Sequence, residues 1–165
     1  MGGVNREPGP PPVEVSVDVR APAGAVYAMV ADVRRMGEWS PECVRCEWLG
    51  GVRDAAVGAR FRGHNRNGMR RWSTVSTVVT ADPGQTFAFR VASLGLPVAE
   101  WRYAVTPTPV GCRVTETWSD RRGGLMRSLG RLATGVGDRA GHNRTGMEAT
   151  LARIKAAAER AVPSA

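Results

Sequence analysis

Hydrophobic and polar residues alternate with a period of two along most of the chain. In residues 13–20 every second residue is valine, and the residues between the valines are polar or charged. This alternation predicts a half-buried β-strand with one face in water. Similar segments follow, separated by turn signals such as Asn67-Gly68 and Asp82-Pro83-Gly84. Because short turns join consecutive segments, we predict seven antiparallel strands, at residues 13–20, 42–49, 59–66, 70–80, 85–91, 98–106 and 112–120.

Near the C-terminus the spacing of the apolar residues changes to three and four. Residues 138–160 predict a helix of about 20 residues, on the order of 30 Å long, with one mostly apolar stripe. Pro163 lies just beyond its predicted end. Shorter stripes in residues 22–32 and 34–39 predict two short helices between the first and second strands. The stripe of the long helix contains Asn143, Met147, Thr150, Leu151, Ile154 and Ala158.

The segment 121–136 is ambiguous because helix-spaced leucines are mixed with glycines. Leu125, Leu129 and Leu132 favour a helix, whereas each interior glycine costs a helix about 1 kcal/mol. We predict a loop followed by a loosely held helix that is broken before Asp138.

One long helix after many strands predicts an α+β fold, with a sheet wrapped around the helix. Any functional site is expected in the space between the sheet and the helix. A chain of 165 residues is one domain of ordinary size, and we assign residues 13–161 to it. Residues 1–12 are rich in glycine and proline and predict a disordered tail.

The chain carries a net charge of +8, which is concentrated in the basic segment 121–160. A solvated surface is the favoured interpretation, and weak contact with an anionic surface is the alternative. We expect no specific nucleic-acid partner. The apolar runs are too short to cross a bilayer, and the N-terminus lacks the pattern of a signal peptide. These features predict a cytoplasmic protein.

Four segments of the sequence carry a family likeness. They are Val17-Asp18-Val19 with Ala21-Pro22-Ala23 and Val26-Tyr27; Val33 to Met36 with Trp39, Ser40 and Pro41; Asp82-Pro83-Gly84 with Phe87-Ala88-Phe89; and Trp101-Arg102-Tyr103 with Val114-Thr115-Glu116. In these segments and in the order of its predicted elements, the chain resembles the START-like (SRPBCC) superfamily, and within it the polyketide cyclase/dehydrase and lipid-transport group. The resemblance covers about residues 13–160 and implies a helix-grip fold.

The resemblance also implies a cavity between the concave face of the sheet and the long helix. The START-like superfamily includes cyclases, hydroxylase subunits, lipid carriers, hormone receptors and chaperone co-activators, so the fold leaves the function open. We expect binding or carriage of a hydrophobic small molecule, polyketide-like or lipid-like. A polyketide cyclase or dehydratase is the first alternative, and an interaction module with a basic face for membrane or RNA is the second.

Strand alternation predicts which side chains line that cavity. Glu116 faces inward on the seventh strand, where an apolar setting would raise its affinity for protons and suit it to act as a general base. Asn65, Asn143 or Tyr103 would then donate hydrogen bonds to a developing oxyanion. The orientation of the fourth strand is ambiguous, and we include Trp72. The predicted ligand-binding residues are Asn65, Trp72, Phe87, Phe89, Trp101, Tyr103, Trp118, Asn143 and Met147.

The motifs for metals and cofactors are weak. Cys43 and Cys46 form a CxxC pair with no second pair, and residues three apart on a strand point to opposite faces. We therefore predict no metal site and no cofactor. The oligomeric state is left open between a monomer and a homodimer. In the structural alternative the aromatic side chains fill the core, Glu116 pairs with an arginine or caps buried backbone groups, and Asn65 bonds to Asn143. His64 and His142 are expected on the surface.

Overall fold

A seven-stranded antiparallel sheet forms the body of the protein in the computed structural model, which describes residues 10–162. The strand order is β1-β7-β6-β5-β4-β3-β2, so consecutive hairpins run from β2 to β7 and β1 then pairs with β7. The predicted α+β helix-grip fold is confirmed. The strands are β1 (Val13–Val19), β2 (Cys43–Trp48), β3 (Arg60–Asn67), β4 (Arg70–Asp82), β5 (Thr86–Ser93), β6 (Leu96–Thr108) and β7 (Gly111–Asp120).

Four α-helices pack against or beside this sheet in the described part of the chain. They are α1 (Ala23–Ala31), α2 (Met36–Trp39), α3 (Gly124–Thr134) and α4 (Arg139–Ala161). A 3₁₀ turn, Val33–Arg35, precedes α2, so the predicted second helix is divided in two. The predicted break before Asp138 is present, because Gly135 adopts a left-handed φ of 73° and ends α3. The predicted tail falls mainly on residues 1–9, which lie outside the described residues.

Helix α4 is held by the stripe that its sequence predicts. The buried residues of α4 are Asn143, Met147, Thr150, Leu151, Ile154 and Ala158, the same six as in the predicted stripe. The apolar members of this stripe belong to the same core as Phe61 and Phe87 from the sheet, which are 1% and 0% exposed. Burial of each large apolar side chain stabilises the fold by roughly 1.5–3 kcal/mol, so this stripe fixes the helix across the sheet.

A β-bulge in β2 corrects the prediction that Cys43 and Cys46 face opposite sides. Cys43 pairs with Asn65 and Cys46 with Gly63, but the register shifts between Cys43 and Arg45. The bulge inserts Val44 as an extra residue, which is 60% exposed, and so returns both cysteines to the inner face. Both thiols are buried there.

The start of α4 depends on one capping carboxylate. Oδ1 of Asp138 accepts a hydrogen bond from the backbone N–H of Gly141 at 3.0 Å. We expect Asp138→Ala to lower the free energy of unfolding by about 1 kcal/mol, since a backbone donor in the first turn loses its partner. Urea unfolding checks the value, and Asp138→Ser, which keeps a capping oxygen, should lose much less. Equal losses in the two variants would contradict the capping role.

Candidate functional site

A cavity of about 290 Å³ lies between the inner face of the sheet and the helices α2, α3 and α4. This volume is near the lower end of the range for small-molecule sites. Leu94 and Leu129 both line the cavity, yet they are 96% and 50% exposed. The opening to solvent therefore lies between the β5–β6 hairpin and α3.

Nine of the ten residues predicted for the site line this cavity. The inner face of β4 carries Trp72, which resolves the orientation that the sequence left ambiguous. The other nine predicted residues lie on β3, on β5 to β7 and on one face of α4. The nine that line the cavity are Asn65, Trp72, Phe89, Trp101, Tyr103, Glu116, Trp118, Asn143 and Met147.

Phe87 is the predicted residue that the structure does not bring to the cavity. Its side chain is 0% exposed, and its ring lies 5.7 Å from the ring of Phe89. The two rings share a face of β5, but α1 packs on β5 and β6. We therefore assign Phe87 to the core beneath the cavity wall.

Several cavity residues were missed because nothing local in the sequence indicates them. The bulge in β2 brings Cys43 and Cys46 to the wall, and the packing of α3 brings Met126 and Leu129. His142, predicted on the surface, also lines the cavity, and its Nε2 is 3.5 Å from Oε1 of Glu42. A helix-spaced apolar pattern in 121–136 was the one available signal for α3.

Glu116 is the most deeply buried carboxyl group of the described chain, at 2% exposure. It lies opposite Tyr103 in the pairing of β6 with β7, and the Tyr103 hydroxyl donates a hydrogen bond to its Oε1 at 2.7 Å. Burial raises the pKa of Glu116 to about 8, although the bond from Tyr103 acts in the opposite direction. The carboxyl group is therefore mostly protonated at pH 7. Burial likewise raises the pKa of Tyr103 well above its usual value, so this phenol stays neutral.

Two polar atoms of the cavity lack partners among the described residues. Oε2 of Glu116 and Nδ2 of Asn143 are both buried and form no hydrogen bond. The side-chain partner of Glu116 is thus a tyrosine and not an arginine, and Nδ2 of Asn143 does not donate a hydrogen bond to Asn65. An unpaired buried polar atom costs about 1–3 kcal/mol, so both atoms offer binding energy to a ligand that can pair with them.

Ion pairs hold the rim of the cavity. Arg139 at the start of α4 pairs with Glu42 at 2.8 Å, and Arg122 pairs with Asp120 at 2.9 Å. Asp120 also pairs with Arg127 at 3.6 Å. These pairs neutralise part of the basic segment 121–160, whose contact with anionic surfaces remains a prediction. Within residues 10–162, no helix combines the length and apolar character needed to cross a membrane.

His64 lies away from this cavity, on the outer face of the sheet. Its Nε2 is 3.1 Å from Oε1 of Glu47 and 3.3 Å from a nitrogen of Arg45, both on β2. It therefore takes part in a surface network, as expected from its position on β3.

The sequence matches the family model described as polyketide cyclase/dehydrase and lipid transport over residues 11–159. No curated protein matches it at a significant level. Among solved structures, the chain is 33% identical to the Polyketide_cyc-like protein Cgl2372 of Corynebacterium glutamicum, with a TM-score of 0.57, covering 87% of this chain and 88% of that one.

Two more distant structures share the fold. The protein CV1439 of Chromobacterium violaceum is 14% identical, with a TM-score of 0.69, covering 94% of this chain and 100% of that one. The di-domain ARO/CYC StfQ of the steffimycin biosynthetic pathway is 18% identical, with a TM-score of 0.67, covering 90% of this chain and 50% of that one.

Proposed function

This chain belongs to the polyketide cyclase/dehydrase and lipid-transport family, and we propose from that premise that its cavity binds a hydrophobic small molecule carrying a carbonyl oxygen. The ligand would be polyketide-like or lipid-like, and binding or carriage is the favoured role. The observation that carries the proposal is the pair of unpartnered polar atoms, on Glu116 and Asn143, within an apolar cavity.

The walls of the cavity suit a flat apolar molecule. Six of the ten aromatic side chains of the protein line it. Aromatic faces supply large apolar area with little conformational entropy to lose, and they stack on planar rings. Mostly apolar walls with a few oriented polar groups are typical of small-molecule sites. The six are Phe61, Trp72, Phe89, Trp101, Tyr103 and Trp118.

The protonation of Glu116 decides which polar group a ligand should carry. Since Tyr103 donates to Oε1, the proton of the neutral carboxyl group belongs on Oε2, the atom without a partner. That O–H and the N–H₂ of Asn143 are both hydrogen-bond donors. Two donors in a mostly apolar cavity favour a ligand oxygen that only accepts, such as a ketone or quinone oxygen.

The same geometry changes the role of Glu116 if the ligand is turned over. A general base must be ionised, whereas a pKa of about 8 leaves Glu116 protonated at neutral pH. In the cyclase or dehydratase alternative, Glu116 would therefore act as a proton donor to a carbonyl or to a leaving hydroxyl group. Activity that depends on this proton should fall as the pH rises through about 8.

The proposal is tested with two rigid probes of the same shape, 9-fluorenone and fluorene, which differ in one carbonyl group. We expect the wild-type protein to bind the ketone about tenfold more tightly than the hydrocarbon at pH 7, since one or two hydrogen bonds contribute that much. Glu116→Leu should abolish this preference and Asn143→Leu should reduce it. Isothermal titration or competition with a fluorescent apolar dye gives both affinities.

Two controls make the result specific. Glu116→Gln keeps a side-chain donor and should keep the ketone preference, and Glu148→Gln changes an exposed carboxyl group on α4. Equal affinities for the two probes in the wild-type protein would contradict the carbonyl anchor. Failure to bind either probe would contradict the binding function itself.

Glu116→Gln also separates carriage from catalysis. The amide still binds a carbonyl oxygen but cannot supply the carboxyl proton. Once a natural ligand is extracted from the purified protein, a carrier would bind it equally well with either side chain. An enzyme would keep its affinity in the variant and lose its turnover.

A further inference from the structure

Three sulfur atoms lie together in the wall of the cavity. Sγ of Cys43 is 3.3 Å from Sγ of Cys46, and Sγ of Cys46 is 3.8 Å from Sδ of Met36. All three residues line the cavity. We propose that they form a binding site for a soft monovalent metal ion of the Cu(I) type.

The arrangement depends on the backbone of two elements. The bulge at Val44 turns both thiols of β2 to one face, and α2 places Met36 over them. Helix and strand approach closely because residue 37 is glycine, where a Cβ atom would lie 2.5 Å from the carbonyl oxygen of Val44. The sulfur cluster is thus built by tertiary packing of α2 on β2.

The distances between the sulfurs suit a shared ion. Two sulfur atoms that each lie about 2.3 Å from one metal are at most about 4.6 Å apart. The Cys43–Cys46 and Cys46–Met36 separations of 3.3 and 3.8 Å fall below that limit, so the sulfurs of each pair can share one ion. Cys43 and Cys46 are 8% and 5% exposed, and an ion can reach them through the cavity that they line.

The donor set selects the metal. Thiolate and thioether sulfur are soft ligands, and together they favour Cu(I) over hard cations. Structural zinc takes four Cys, His or carboxylate ligands. Within residues 10–162, no three side chains of these types form a metal-binding group, so the cluster does not meet the requirement of zinc. Binding of one monovalent ion by the two thiols releases two protons to solvent and transfers no electron.

The test titrates the reduced full-length protein with Cu(I) under anaerobic conditions, in competition with the chelator bathocuproine disulfonate. We expect one Cu(I) per chain in the wild-type protein. Cys43→Ser and Cys46→Ser should weaken binding roughly 100-fold or more, and Met36→Leu about tenfold, as thiolate and then thioether ligands are lost. Circular dichroism confirms that each variant is folded.

The controls use matched residues outside the cluster. Cys112→Ala removes the third cysteine, which is 0% exposed, and Met29→Leu replaces another partly buried methionine; both should bind Cu(I) like the wild type. A copper X-ray absorption spectrum of the wild-type complex should show sulfur ligands alone and needs no variant. Nitrogen or oxygen ligands, binding that survives Cys43→Ser, or preferential binding of Zn²⁺ would overturn the proposal.

Discussion

The free energy of unfolding of the wild-type protein is expected to fall by several kcal/mol between mildly acidic and alkaline pH. We expect Glu116→Gln to abolish this fall. The pKa of Glu116 is about 8 in the folded protein, raised by burial from the ordinary 4.5. Between these values the folded protein keeps a proton that the unfolded chain releases. The stabilising contribution is therefore present below about pH 4.5 and is lost as the pH rises through about 8.

The magnitude of this loss follows from the gap between the two pKa values. At about 1.36 kcal/mol for each pH unit, a rise from 4.5 to about 8 costs the folded state on the order of 4–5 kcal/mol. Glutamine has nearly the same shape and does not ionise. The difference in free energy of unfolding between variant and wild type should therefore grow with pH in this range.

Urea unfolding of both proteins from pH 5 to pH 9 measures this difference. Other carboxyl groups titrate in the opposite sense: hydrogen bonds from Arg113 and Arg34 lower the pKa values of Asp18 and Asp32, which lose their contribution at low pH. These groups are unchanged in the variant, so the difference isolates Glu116. Parallel pH profiles for the two proteins would show that Glu116 is not buried as described.

Leu151→Ala is expected to cost about 2–5 kcal/mol of unfolding free energy, by lost transfer energy and by the cavity that it leaves. Leu151 is 1% exposed on the face of α4 that packs on the sheet. Leu132→Ala on α3 is the matched control, because it makes the same chemical change in a helix at a side chain that is 75% exposed. Its cost should be within about 0.5 kcal/mol, plus the small helix-propensity gain common to both.

Urea midpoints with an unchanged slope give both values. Similar losses at the two positions would mean that α4 is not anchored by its buried stripe. That result would also remove the physical basis of the cavity, because α4 forms one of its walls.

The cavity-lining residues were predicted well wherever a single element decides which way a side chain points. Period-two alternation brought Glu116, Tyr103 and Trp118 to the inner face, because neighbouring side chains on a strand point to opposite sides. The same rule grouped Phe87 with Phe89, and here it was insufficient. Alternation identifies a face of the sheet, but the packing of α1 decides which part of that face is core and which is cavity.

The sulfur cluster shows where local rules fail. Residues three apart on a regular strand face opposite sides, so Cys43 and Cys46 were predicted to be separate. The bulge at Val44 reverses that conclusion, and it is detectable only in the pairing of β2 with β3. His142 and α3 were likewise placed at the cavity by packing between elements that are far apart in the chain.

The sequence alone determined the elements of this protein, its fold class and the buried stripe of α4. These follow from periodicity and turn chemistry, which act over a few residues. Only the tertiary structure decided that Oε2 of Glu116 and Nδ2 of Asn143 lack partners, that Tyr103 occupies the other carboxyl oxygen, and that three sulfurs meet. Burial, pKa and pairing depend on atoms brought from distant parts of the chain, and no local pattern encodes them.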